Sequence, residues 1–341
     1  MNLGNYFTTK EINEQPEILK KVLKKENEIK KILGFSGKER IGFIGCGSSY
    51  YLPIAVSYHI RRILKINANP FTGYGAMRYP DTRFENYKEY LIIAISRSGE
   101  SSETVYALES LKNNSRFNTI SLTCEYNSAI TKVTDRSLVL EFVNEKSIVM
   151  TQSVSSMILA IQIAMEDKRV DIIPDLLQEV IDNASSIFNR IDWKQFNHFV
   201  YLGYDEYLGI ANEGALKIRE MALSHSEVYE TLEYRHGPKS LVSKASLICF
   251  LPSSESFKDE KRVSHEMRQL GATTVNISPW YSDSFDIWID TKMDVIDRSD
   301  MVLRLVPLQI LALKKAIQKG INPDEPMHLT KMVKLKNKPE A

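Results

Sequence analysis

Three residues in one short stretch could do chemistry together. In "EGALKIREMAL", Glu213, Lys217 and Glu220 stand four and three positions apart, which puts them on one face if the segment is a helix. Most such triplets are solvated ion-pair stripes. The alternative is proton transfer: a carboxylate accepts a proton while the neighbouring ammonium keeps it ionised and steadies a developing oxyanion. A second candidate is His236, which precedes Gly237 and Pro238. Those two fix a turn, turns present side chains to sites, and imidazole moves protons near neutral pH. A lone histidine is otherwise more often structural.

A third group is "ISRSGESSET", residues 95–104. Ser96, Ser98, Ser101 and Thr104 supply hydroxyls, Gly99 lets the backbone fold inward, and Arg97 adds a positive charge. A helix starting near Ser101 would aim free N–H groups at the same point, so the stretch reads as a phosphate cradle. It reads equally as an ordinary N-cap with a capping-box spacing. "GCGSSY", with Gly47 and Ser49, is a second small-residue loop of the same kind, and it favours the anion reading.

The elements that must position these groups repeat. Residues 10–33 carry helical periodicity. Ile41–Ile44 reads as a buried strand, Gly45–Ser49 as a tight turn and Leu52–Leu64 as a helix. "YLIIAISRSGESSETVYALESLKN" repeats strand, turn and helix, "FNTISLTCE" and "SLVLEFV" add strands, and residues 151–166 form an apolar helix. The pattern relaxes near residue 170 and restarts about 158 residues after its first appearance, with "HFVYLGYDEYLGIANEGALKIREMAL" and then "SLICFLPSSESFKDE". Alternating strands and helices imply parallel sheets covered by helices, with ligands at the carboxyl ends of the strands. The expected fold is α/β, two tandem flavodoxin-like units. The expected boundaries are an N-terminal helix at 1–34, a first domain at 35–167, a connecting helix at 168–192, a second domain at 193–324 and a tail at 325–341. The second unit has "PSSESFKDE" where the first has "SRSGESSET". It lacks the glycine and adds acids, so only the first unit is expected to hold an anion.

Bulk composition narrows the classes. The 341 residues carry a net charge of +1, which gives no general attraction to nucleic acid or anionic membrane. No apolar run spans a bilayer and the opening residues lack a leader-like core, so a cytoplasmic location is expected. Cys46, Cys124 and Cys249 are read as small, buried, reduced side chains. The six histidines show no paired ligand spacing, so no metal is expected.

"GCGSSYY", "SRSGESSET", "EGALKIREMALSHSEVYE" and "RHGPKSL", in this order, resemble the sugar isomerase (SIS) domain family over roughly residues 8–335. Similar groups are the isomerase half of glucosamine-6-phosphate synthase, the SIS-type glucosamine-6-phosphate deaminases and the tagatose-6-phosphate ketose/aldose isomerases. The resemblance implies Gly47, Ser49, Ser96, Arg97, Ser98, Gly99 and Ser101 around a sugar phosphate. The family commonly has threonine where Ser101 stands and often glutamine where Arg97 stands. In "EKSIVMTQS" it implies sugar contacts by Ile148 and Met150. It puts Glu213, Lys217 and Glu220 at the sugar with Glu220 as the proton-transfer base, and makes His236 the ring-opening residue, donated by a neighbouring subunit. In "LTK" it puts Lys331 on a closing tail.

The reaction expected from the resemblance is deamination of glucosamine 6-phosphate to fructose 6-phosphate and ammonia, with no metal or organic cofactor. About 40 residues precede the first strand, too few for an ammonia-releasing glutaminase domain, so the release direction is expected. The alternatives are a galactosamine-6-phosphate deaminase, a tagatose-6-phosphate isomerase, or a non-catalytic sensor of sugar phosphates. The expected partners are a hexose or hexosamine 6-phosphate and a second copy in a homodimer with shared sites, not nucleic acid or membrane.

Overall fold

A computed structural model describes residues 6–35, 40–86, 88–294 and 298–335. The expected tail therefore continues past the described residues at 336–341. The periodic N-terminal segment is three helices: α1 (Phe7–Asn13), α2 (Gln15–Lys24) and α3 (Glu26–Leu33). The single helix read over 10–33 is broken at Glu14, where Pro16 enters the first turn of α2. Proline cannot donate an amide to the preceding turn, so a new helix starts there.

The first unit runs β1 (Arg40–Gly45), α4 (Ser48–Ile63), β2 (Ala68–Thr72), α5 (Gly73–Arg78), α6 (Pro80–Arg83), β3 (Tyr90–Ile95), α7 (Ser102–Leu111), β4 (Phe117–Thr123), α8 (Ala129–Val133), β5 (Arg136–Val139) and α9 (Gln152–Ala164). Helix α10 (Ile173–Phe188) follows. The second unit runs β6 (His198–Gly203), α11 (Glu206–Ala222), β7 (His225–Tyr229), β8 (Ser246–Leu251), α12 (Phe257–Gln269), β9 (Thr273–Ile277), β10 (Ile287–Ile289) and α13 (Met301–Gln318).

Each unit is a five-stranded parallel sheet, ordered β2-β1-β3-β4-β5 and β7-β6-β8-β9-β10. Both orders are the doubly wound pattern whose switch point lies between the first and third strands. Strands β3 and β8 are buried along their whole length, as parallel strands covered on both faces must be. The largest core lies between the sheets, where α4, α9, α11 and α13 pack with the N-terminal helices. Smaller cores cover the outer faces.

Three edge strands, β2, β7 and β10, have no counterpart in the sequence pattern. β2 contains Pro70, which is tolerated only where a ladder amide is dispensable, and β7 is only partly buried. The strand read at 137–143 ends at Val139.

At the carboxyl edge of the second sheet, protein charges fill the place that corresponds to the serine loop. Arg298 donates to Asp205 at 2.9 Å, Glu206 at 3.0 Å and Glu255 at 2.5 Å, and Arg62 reaches across from α4 to Glu206 at 2.7 Å and Asp205 at 2.8 Å. Beneath this network Glu260 is fully buried, and burial above all pushes its pKa up to about 7, against the Ser256 hydrogen bond and the charges of Arg304 and Arg298. The folded chain thus keeps a proton that the unfolded chain loses from about 4.5 upward, so this group removes stability as pH rises through that window to about 7. Glu260→Gln is expected to flatten the fall in Tm between pH 5 and pH 8 and to melt above the parent protein at pH 8. Calorimetry across that range is the check.

Candidate functional site

The switch point of the first sheet opens into a cavity of about 210 Å³. Its walls include Gly47, Ser48 and Ser49 after β1, and Ser96, Arg97, Ser98 and Ser101 after β3. Ile148 and Met150 come from the loop before α9, Glu220 from α11, and Leu329–Val333 from the tail. Ten residues singled out in the sequence therefore meet here: Gly47, Ser49, Ser96, Arg97, Ser98, Ser101, Ile148, Met150, Glu220 and Lys331.

The serine loop is built by its own hydrogen bonds. Ser96 Oγ accepts from the Gly99 amide at 3.0 Å, and Ser98 Oγ accepts from the Glu100 amide at 3.2 Å. Gly99 has a φ of +66°, and a Cβ there would lie 2.1 Å from Ser128 Oγ. The conformation and the space both demand glycine. Ser101 takes the N-cap position of α7 but its hydroxyl makes no capping bond, so the plain-cap reading of this stretch loses its main support. Gly47 turns the first loop with a φ of +58°. Its counterpart in the second unit, Asp205, holds a similarly unusual backbone at a φ of +52° and turns its carboxylate onto the arginines.

Arg97 lines the cavity and is also bonded within the protein. Its guanidinium donates to Glu145 at 3.0 Å and to the carbonyls of Ser147 at 3.3 Å and Ile148 at 2.6 Å. Those N–H groups hold the loop that carries Ile148 and Met150 instead of reaching toward an anion. Burial opposes the charge on Glu145, yet Arg97 and the hydrogen bonds from Ser153 and Thr151 hold its carboxyl below the ordinary range.

The α11 triplet is one connected group. Lys217 is fully buried, and its ammonium donates to Glu220 Oε2 at 2.6 Å and Ser48 Oγ at 3.0 Å. Glu213 lies 3.1 Å from the same nitrogen. Burial pulls the Lys217 pKa down, but the charges of Glu213 and Glu220 outweigh it and raise the balance. For Glu213, burial outweighs the attraction of Lys217 and raises its pKa to about 7, so the ammonium is paired chiefly with Glu220. A buried lysine with this partner set is no solvated surface stripe. Lys217 and Glu213 sit behind the cavity wall, and half-buried Glu220 faces into it.

The tail crosses the mouth. Lys331 donates to the Glu145 carbonyl at 2.8 Å, the Ser102 amide donates to the Val333 carbonyl at 3.3 Å, and the Leu335 amide donates to Ser102 Oγ at 3.1 Å. His236 is not part of the cavity lining. It is exposed, between two single turns, Glu233–Arg235 and Pro238–Leu241.

Sequence reasoning missed Ser48, Glu145 and Cys46. Ser48 was legible beside Ser49 in "GCGSSY", whereas the ion-pair partner of Glu145, Arg97, stands 48 residues away in the chain. Cys46, expected to be buried, is half-buried and lines the cavity, unlike Cys124 and Cys249. Among the described residues, no three His, Cys, Asp or Glu side chains are grouped to hold a metal ion, and no helix is long and apolar enough to cross a membrane.

Residues 34–166 and 195–317 match the SIS domain, and the chain belongs to that family. A glucosamine-6-phosphate deaminase from Thermotoga maritima is 35% identical, with a TM-score of 0.84 over 96% of this chain and 99% of that one. The glutamine–fructose-6-phosphate aminotransferase (isomerizing) of Pyrobaculum aerophilum is 28% identical over 96% of this chain, which spans only 57% of that protein's length. The tagatose-6-phosphate ketose/aldose isomerase from Escherichia coli, 21% identical with a TM-score of 0.84, shares the fold.

Proposed function

We propose that the chain deaminates a hexosamine 6-phosphate, with glucosamine 6-phosphate the first choice, giving fructose 6-phosphate and ammonia. The observation that carries this reading is the Glu220 carboxylate facing the cavity with a buried ammonium 2.6 Å behind it, opposite a loop of serines suited to a phosphate. The 35% identity to a deaminase, over nearly the full length of both chains, supports the choice of reaction. The sugar phosphate sits against Ser49, Ser96, Ser98 and Ser101. After ring opening, Glu220 takes the C2 proton and returns it to C1, while the Lys217 ammonium holds the carboxylate in place through its 2.6 Å hydrogen bond. The resulting C2 imine is hydrolysed to the ketone, releasing ammonia. His236 would open the ring from a second copy, presented on its exposed turn.

The direct test is ammonia release from glucosamine 6-phosphate and from galactosamine 6-phosphate, measured side by side. Ammonia from the first substrate in preference supports the reading; ammonia from neither removes it. The cradle predicts a further result. Replacing Ser96 and Ser98 together with alanine removes two hydroxyls that shape the loop, so KM should rise roughly tenfold for every hexose 6-phosphate alike, at about 0.5–1.5 kcal/mol per hydrogen bond. A loss confined to one sugar would contradict a phosphate role.

A further inference from the structure

Helix α1 lies outside the matched SIS segments, yet it is bonded both to the loop that carries Ile148 and Met150 and to the base of the tail. Glu11, 4% exposed, accepts from the Lys146 amide at 2.6 Å and the Ser147 amide at 3.1 Å, and also from the Ser147 hydroxyl. These residues lead directly into Ile148. At the other end of α1, Asp324 accepts from the Phe7 amide at 2.8 Å and from the Thr8 amide and hydroxyl at 2.7 Å each. The Asp324 carbonyl in turn accepts from the Ile148 amide at 2.9 Å. Loop 145–150, the base of the tail and α1 therefore close into a ring in which each member holds the other two.

We propose that Glu11 and Asp324 are positioning residues for the sugar end of the site, a role that rests on the sugar-phosphate reading of the cavity. Neither carboxylate lines the cavity. Glu11 fixes where Ile148 and Met150 stand, and Asp324 fixes where the tail bearing Lys331 leaves the body of the protein. The hydroxyls of the serine cradle are held by the Gly99 and Glu100 amides, and the cradle meets loop 145–150 through the Arg97 guanidinium. The α1 ring thus bears directly on the sugar end of the site and reaches the phosphate end only indirectly, while the bonds that shape the serine hydroxyls lie within the cradle itself.

The full chain and its Glu11→Ala and Asp324→Ala variants are titrated calorimetrically with glucosamine 6-phosphate and separately with inorganic phosphate. The expected result is a loss of about tenfold in affinity for the sugar phosphate in each variant, with inorganic phosphate binding unchanged. Glu11→Gln, which keeps one acceptor oxygen, should recover part of the loss. Trypsin should cut after Lys331 faster in Asp324→Ala than in the parent chain. Equal losses for both probes, or no loss for either, overturn the proposal, because a merely structural role moves both together. If alanine at Glu11 prevents folding, Glu11→Gln and Asp324→Asn carry the same comparison at smaller amplitude. A parent chain that binds neither probe overturns the reading of the cavity itself. Binding with the expected split but without ammonia release overturns only the reaction and leaves the positioning role supported.

Discussion

Glu220→Gln is expected to lower kcat by about 10²–10⁴-fold, the range that a positioned general base contributes, while the affinity for sugar phosphate stays within a few-fold of the parent. The amide keeps the shape of the carboxylate and can still accept from Lys217, whose ammonium donates to it at 2.6 Å. Its loss is therefore in proton acceptance rather than packing. Glu213 cannot substitute, because it lies behind the wall and holds its proton up to about pH 7. The measurement is a steady-state ammonia assay paired with calorimetric binding. Turnover near the parent value in a folded Glu220→Gln protein would remove Glu220 from the base role and leave the α11 triplet as a buried structural pair.

Ending the chain after Glu325 is the second large effect. The sheets and the core between them contain nothing from residues 326–335, and Asp324, which anchors α1, is retained. Tm should therefore change little. The cavity loses Leu329–Val333, and with them Lys331, whose ammonium reaches the Glu145 carbonyl at the rim. Removing a donor from a closed site, and admitting water, is expected to cost about 10²-fold or more in kcat. Full activity in the shortened protein would show that the tail only rests on the surface.

What could be read from the sequence was what is local. The strand–turn–helix units around "GCGSSY" and "SRSGESSET" appear because each places its apolar run, its glycine and its small polar residues within about a dozen positions. The Glu213, Lys217, Glu220 face follows from helical spacing alone. Its burial does not, since a surface stripe has the same spacing, and only packing of α11 against α4 and α13 decides between them. The protein partners of Arg97 were hidden for a similar reason. A cation in a serine loop suggests an anion partner, but its true partners stand at 145–148, and nothing in the local pattern marks a carboxylate fifty residues away. The edge strands escaped because proline, partial burial and short length weaken the alternation that reveals a strand. His236 remains an expectation from resemblance: its turn is formed, but one chain does not bring it into the cavity lining.

The bonds from Phe7 and Thr8 to Asp324 span 317 and 316 residues. During synthesis α1 therefore emerges more than 300 residues before its partner. Its leading amides must be satisfied by water until both sheets have been made, so α1 is a late addition to the structure although it precedes both sheets in the sequence. A chain stalled after the second sheet could hold both folded cores and still have an unfinished pocket. Quality control that samples packing alone would accept such a product, and only assays of binding or turnover would reveal that α1 and Asp324 had never met.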